Sequence, residues 1–257
     1  MRMNNLQHIA DELFESDRSC IPVAQLTDRY ELTLEDAYAI QKINRDRAVQ
    51  SGAKIIGKKI GLTSRAMQEA LGVDTPDFGF LLDNRQMKDG CVLKKTLLQP
   101  RVEGELAFVL KADLPADATA QDVLAATDYL LPAIEIVDSH IADWKLRIQD
   151  TVADNASCGL FRLGETRINP NENPESIRMT LYKNGELVNT DTAAAVMGSP
   201  ANAVAWLAQA LAEYDEPLLA GDIILSGAIT EAIAAIPGDR FTCDFGPHGS
   251  VSVQFME

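Results

Sequence analysis

The sequence predicts an α+β protein in which a helical N-terminal region precedes a mixed or mainly antiparallel β-sheet core. Three observations carry this. About the first fifty residues place apolar side chains at helical spacing. From Lys54 onward the pattern changes to short strand-like runs separated by turn residues. Those runs do not alternate regularly with helices, as βαβ units would.

Taken in chain order, Leu6, Ile9, Leu13 and Phe14 mark one helical stripe. Ala37, Ile40, Ile43 and Arg47 mark a second, behind a cap at Thr33 with Asp36 three residues on. A strand is predicted over 54–61 and a short helix over 64–71 behind Ser64. TPDFGFL, around Asp77, reads as a turn because proline, aspartate and glycine crowd together. Strands over 103–110 and 132–138 flank a helix over 119–131 behind Thr119. Asn184-Gly185 between the runs 177–183 and 186–190 is a hairpin signal. A helix over 200–214 has Ser199 as cap and Pro200 at its first position. Strands over 222–226, 240–245 and 250–256 close the chain. The expected division is a helical region over 1–52 and a sheet domain over 53–257.

Composition narrows the function classes. A length of 257 residues can bury a sizeable core as one large domain. A formal charge of −15 argues against nucleic-acid and anionic-membrane partners, and no run approaches transmembrane length. The opening MRMNNLQHIADELF is amphipathic and lacks the apolar core of a signal peptide. Cys20, Cys91, Cys158 and Cys243 form no CxxC pair, so neither a zinc site nor a disulfide framework is indicated. Thiols in a reducing cytoplasm are the expectation.

The chemistry concentrates in VEGELAFVL and PAIEIVDS. Strand alternation puts Glu103 and Glu105 on one face, which Ala107 and Val109 continue with apolar side chains. Glu135 interrupts a second apolar strand. Carboxylates in such surroundings need positive compensation, and oxygen-only ligation points to Mg²⁺ or Mn²⁺. An ordinary solvated sheet face is the competing reading. Lys58 and Lys59 alternate to opposite faces of their strand, so at most one enters a site, and an exposed edge strand with solubilising lysines is the reading the sequence alone favours. Asp77 fits a turn cap or a base beside a cation. Ser157 lies in the polar run DWKLRIQDTVADNASCGLF, and Ser226-Gly227 ends the strand DIILSG, where a hydroxyl and an amide suit a carboxylate as well as they suit a plain strand end. His8, His140 and His248 form no catalytic triad pattern, and His140 reads as structural.

IIGKKIGLTS, LGVDTPDFGFL, QPRVEGELAFVL, LPAIEIVDSHIADWKLRIQDTVADNASCGLF, NAVAWLA, LAGDIILSGAIT and GSVSVQF stand in one order from about residue 30 to the C-terminus. Together they resemble the 2-hydroxypenta-2,4-dienoate hydratases (2-keto-4-pentenoate hydratases) of the fumarylacetoacetate-hydrolase superfamily. The resemblance implies a fumarylacetoacetase-type β-roll, a divalent metal (Mg²⁺ or Mn²⁺) and a homo-oligomer, with a pathway aldolase or decarboxylase as a further associate. Position by position, it implies Glu103, Glu105 and Glu135 as metal ligands and Lys59 and Asp77 as the acid/base pair. It adds Leu62, Ser157 and Ser226 as substrate-binding positions. The implied reaction is hydration of a 2-hydroxy-2,4-dienoate, through the 2-oxo-3-enoate, to a 4-hydroxy-2-oxo acid in aromatic-compound breakdown. NTDTAAAVMGSP and the stretch after SGA depart from several members, which leaves the C5 substituent open. A 4-oxalocrotonate-type decarboxylase and a non-catalytic metal-binding subunit are the alternatives.

Overall fold

The computed structural model describes residues 2–93 and 96–256. Two helices come first, α1 (Arg2–Ser19) and α2 (Leu34–Gln50). The capping box behind α2 forms as expected, with the Asp36 N–H donating to the Thr33 hydroxyl and the Thr33 N–H to the Asp36 carboxylate, both at 3.1 Å. Ile9, Leu13, Ala37 and Ile40 are buried where the two helices meet the core. Buried Gln41 ties α2 to the body of the protein, donating to the carbonyls of Phe78 (2.9 Å) and Val152 (3.0 Å).

The strands are β1 (Ile55–Gly61), β2 (Asp77–Leu82), β3 (Cys91–Leu93), β4 (Arg101–Leu110), β5 (Thr127–Val137), β6 (Cys158–Leu163), β7 (Arg178–Lys183), β8 (Glu186–Thr192), β9 (Ile223–Leu225), β10 (Ile233–Ala234), β11 (Arg240–Asp244) and β12 (Ser250–Met256). Between them lie α3 (Arg65–Leu71), α4 (Ala120–Ala126), α5 (Ile148–Ala153) and α6 (Pro200–Ala212). Among the described residues one sheet runs β2-β1-β9-β4-β5-β6, with β10 beside β4, and a second runs β3-β12-β11-β7-β8. Pairing is antiparallel except for β1 with β9 and β12 with β3, so both sheets are mixed.

The sheets meet face to face over the main core. Val102, Leu106 and Phe108 of β4 point into it, together with Met179, Leu181, Phe241, Cys243 and Val253. Gly104 permits the closest approach, since a Cβ there would lie 2.8 Å from both Cys243 Sγ and Met179 Cε. The opposite face of β4 carries Glu103, Glu105 and Ala107. Ala107 belongs to a smaller apolar cluster with Leu81, Leu131, Ala133, Phe161 and Leu225.

Several expectations need correction. TPDFGFL is not a free turn, because Asp77 opens β2, which pairs with β1 through Gly61↔Asp77. The helix predicted over 119–131 ends at Ala126, and β5 begins at Thr127 rather than at 132. Pairing with β4 from Leu110↔Thr127 onward holds this stretch extended, and Pro132 bars the helical conformation only at Leu131. β1 is an interior strand rather than an exposed edge, flanked by β2 and β9. The hairpin at Asn184-Gly185 forms as read, both residues with positive φ (55° and 85°).

Candidate active site

Register builds the site. β4 pairs with β5 so that Glu103 lies directly opposite Glu135, with Glu105 two residues along the same face. Each of the three offers a carboxylate oxygen, and those oxygens lie within 4.8 Å of one another. All three are buried, Glu105 and Glu135 completely. Glu105 Oε2 accepts the Gly227 N–H at 2.9 Å, while Glu105 Oε1 and both oxygens of Glu135 accept no hydrogen bond. Burial pushes all three pKa values up, and repulsion from Glu135 adds to it at Glu103, which reaches about 7, and at Glu105, which lies well above the ordinary carboxylate range. Three such carboxylates, two of them with orphaned oxygens, fit a hard divalent cation.

Lys59 enters the same face from β1. Its Nζ donates to the Ala156 carbonyl at 2.9 Å and lies 3.5 Å from Glu135 Oε1. Burial opposes the ammonium charge, but Glu135, Asp77 and Glu103 outweigh it and hold the pKa above that of an ordinary lysine. Lys58 points to the other face and pairs with Asp222 at 3.1 Å. Both lysines are buried, unlike the solubilising pair the sequence permitted.

Asp77 is buried and its Oδ1 has no hydrogen-bond partner. Burial raises its pKa against the pull of Lys59 and Thr151. Gly61 makes room for it, because a Cβ there would strike Asp77 Oδ1 and come within 3.3 Å of Lys59 Nζ. Lys59 and Asp77 thus converge over one glycine.

Glu105 and Glu135 cluster with Glu103, which together with Lys59 and Asp77 lines a cavity of about 330 Å³. Its wall includes Lys59, Asp77, Glu103, Leu62 and Ser157, so the structure brings those expected positions together. Leu62 (φ 55°) and Ser157 (φ 54°) both hold left-handed backbone. Ser226 does not reach the cavity, for its hydroxyl donates to the Leu106 carbonyl at 2.9 Å, and the amide of its neighbour Gly227 serves Glu105 instead. Sequence reasoning missed the mouth, where Arg101, Trp144, Met67, Leu71 and Leu146 gather. The Arg101 guanidinium stacks 4.3 Å from the Trp144 ring. The indole N–H donates to the Gln99 carbonyl at 3.0 Å, and the Asp143 N–H to the Gln99 side chain at 2.8 Å. The QPR preceding the glutamates was the available signal for this support.

His140 stands outside the cavity. Its Nδ1 lies 2.6 Å from Asp154 and its Nε2 3.3 Å from Asp17, which also pairs with Arg85. Burial disfavours its charge, but the two aspartates raise its pKa to about 10.

Comparison with known proteins places the chain in a family. The fumarylacetoacetate (FAA) hydrolase C-terminal family model matches residues 80–255. A 2-keto-4-pentenoate hydratase of Paraburkholderia xenovorans is 45% identical over 97% of this chain and 94% of its own. A 2-hydroxyhexa-2,4-dienoate hydratase of Comamonas testosteroni is 46% identical over 95% of each chain. The structure of 4-oxalocrotonate decarboxylase from Pseudomonas putida, complexed with magnesium and adipate, superposes with a TM-score of 0.95 at 36% identity, covering 99% of this chain and 98% of that one. The chain belongs to the fumarylacetoacetate hydrolase family, among its 2-keto-4-pentenoate hydratases.

Proposed function

We propose that this chain is a divalent-cation-dependent hydro-lyase that adds water to a 2-hydroxy-2,4-dienoate, giving a 4-hydroxy-2-oxo acid. The observation that supports the reading is the cluster of three buried carboxylates, Glu105 and Glu135 with orphaned oxygens and Glu103 in the wall of the cavity that Lys59 and Asp77 also line. Glu103, Glu105 and Glu135 are the residues to hold the cation, Mg²⁺ or Mn²⁺. When bound, that cation supplies positive charge for the acid's carboxylate and 2-oxygen, which develops negative charge during ketonisation.

The protein's own groups handle the protons. Turning the dienol into the 2-oxo-3-enoate requires a proton to leave the 2-oxygen and one to arrive at C5. The enone then takes water at C4, and a further proton goes to C3. Lys59 Nζ and Asp77 Oδ1 are the groups placed to donate and accept these protons as a pair. Lys59 is fixed by Ala156 and Glu135, and Asp77 Oδ1 is left open by Gly61. Leu62 and Ser157, which line the cavity, are the side chains assigned to contact the substrate. Arg101 adds a cation at the mouth, which favours an anionic substrate on a chain of net charge −15.

The names of the relatives favour hydration, two of them being hydratases of short 2-keto or 2-hydroxy acids at 45% and 46% identity. The proposal includes self-association, which the family resemblance implies, and a cytoplasmic setting, which the cysteine pattern suggests. No helix among the described residues is long and apolar enough to cross a membrane. The test is to follow loss of the ultraviolet absorbance of 2-hydroxypenta-2,4-dienoate with and without Mg²⁺ or Mn²⁺, and to identify the product. A 4-hydroxy-2-oxo acid without CO₂ is expected. Release of CO₂ from 4-oxalocrotonate, with no hydration, would transfer the chain to the decarboxylase reading.

A further inference from the structure

The wall between the cavity and the N-terminal helices is a single unusual turn. Asn155, Ala156 and Ser157 come after α5 with φ values of 54°, 51° and 54°, three successive non-glycine residues in the left-handed region. Each such residue is disfavoured by roughly 1–2 kcal/mol, and a run of three persists only where its surroundings over-determine it. Here the surroundings are visible. β2 is an outer strand of its sheet, so one edge of its backbone lacks a partner strand. The Asn155 side chain takes that place at Phe80, where Oδ1 accepts the Phe80 N–H at 2.8 Å and Nδ2 donates to the Phe80 carbonyl at 3.1 Å. Gly79 lets the two backbones touch, since a Cβ there would strike the Asn155 carbonyl. At the far end of the turn the Asp138 N–H donates to the Ser157 carbonyl at 2.8 Å.

The product of this arrangement is one outward carbonyl. Ala156 O accepts from Lys59 Nζ at 2.9 Å. An ammonium on a four-carbon stem has many rotamers, and an acceptor fixed between two anchors selects one of them. We propose that Asn155 is a positioning residue for Lys59: its side chain, paired with the open edge of β2, holds the left-handed turn whose Ala156 carbonyl aims the Lys59 ammonium into the cavity. This rests on the reading of Lys59 as a proton-transfer group.

Two variants test it. Asn155→Gly deletes both side-chain bonds but keeps a residue at ease with positive φ. Asn155→Asp keeps the acceptor for the Phe80 N–H and loses the donor, and it carries the test if the glycine variant fails to fold. In the full chain with Mg²⁺, Asn155→Gly should lower kcat by about tenfold to a hundredfold, with KM changed less than about twofold. Asn155→Asp should fall between it and the parent. Calorimetric Mg²⁺ affinity should not change. In a Lys59→Ala background, Asn155→Gly should lower the residual rate no further, since its effect runs through the missing amine. A parental kcat in Asn155→Gly, or the same loss repeated without Lys59, overturns the inference. A Lys59→Ala protein with parental turnover overturns the underlying reading of Lys59 instead.

Discussion

Lys59 and His140 are both buried cations held among carboxylates, yet they serve different ends. Lys59 opens onto the cavity, so its loss should act on rate. Lys59→Ala is expected to reduce turnover by roughly 10²–10⁴-fold, the range for a positioned proton-transfer group, while Mg²⁺ binding measured by calorimetry persists. His140 faces Asp17 and Asp154, with Arg85 on the far side of Asp17, and its loss should act on stability. Its folded pKa of about 10 lies above the ordinary 6.5. Its stabilising contribution is therefore complete below pH 6.5 and is lost as pH rises toward 10. The melting temperature should fall across that interval, and His140→Gln should flatten the slope while lowering the melting temperature at pH 6. An unchanged slope in the variant would remove His140 from the account.

At the level of elements, Gly104 sets how closely the two sheets approach. Gly104→Ala should destabilise by about 1–3 kcal/mol in denaturant titration, because Cys243 and Met179 occupy the space a methyl needs. The elements legible in sequence are those with local causes. Thr33 and Ser64 announce helix starts through their own side chains, and Asn184-Gly185 encodes a turn its neighbours need not specify. β2 is illegible because its extended backbone comes from β1 and the Asn155 side chain, far away in sequence. The end of α4 is overrun because the apolar stretch through Leu131 suits either period, and pairing with β4 from Thr127 onward decides it. The glutamates can be read from strand alternation, which is local, whereas the expected site role of Ser226 depends on where a hydroxyl turns. Met67, Leu71 and Trp144 reach the cavity through tertiary packing, and no spacing in the chain foretells that.

Over the whole molecule, three buried carboxylates share one ammonium, Lys59, and the proposed cation would offset the excess negative charge. Adding Mg²⁺ at a hundred times its dissociation constant should stabilise the chain by about 2.7 kcal/mol, seen as a rise in melting temperature. Glu135→Gln should abolish most of that rise; a full rise in the variant would place the cation elsewhere. The register of β4 and β5 adds a kinetic side to the same fact. Because Glu103 and Glu135 face each other directly, zipping these two strands together drives like charges into contact during folding. Pairing of β4 with β5 is therefore expected to be slowed when no ion is present. A cation in the refolding buffer should act as a folding catalyst as well as a ligand, so the ion would help make the site before it is used there.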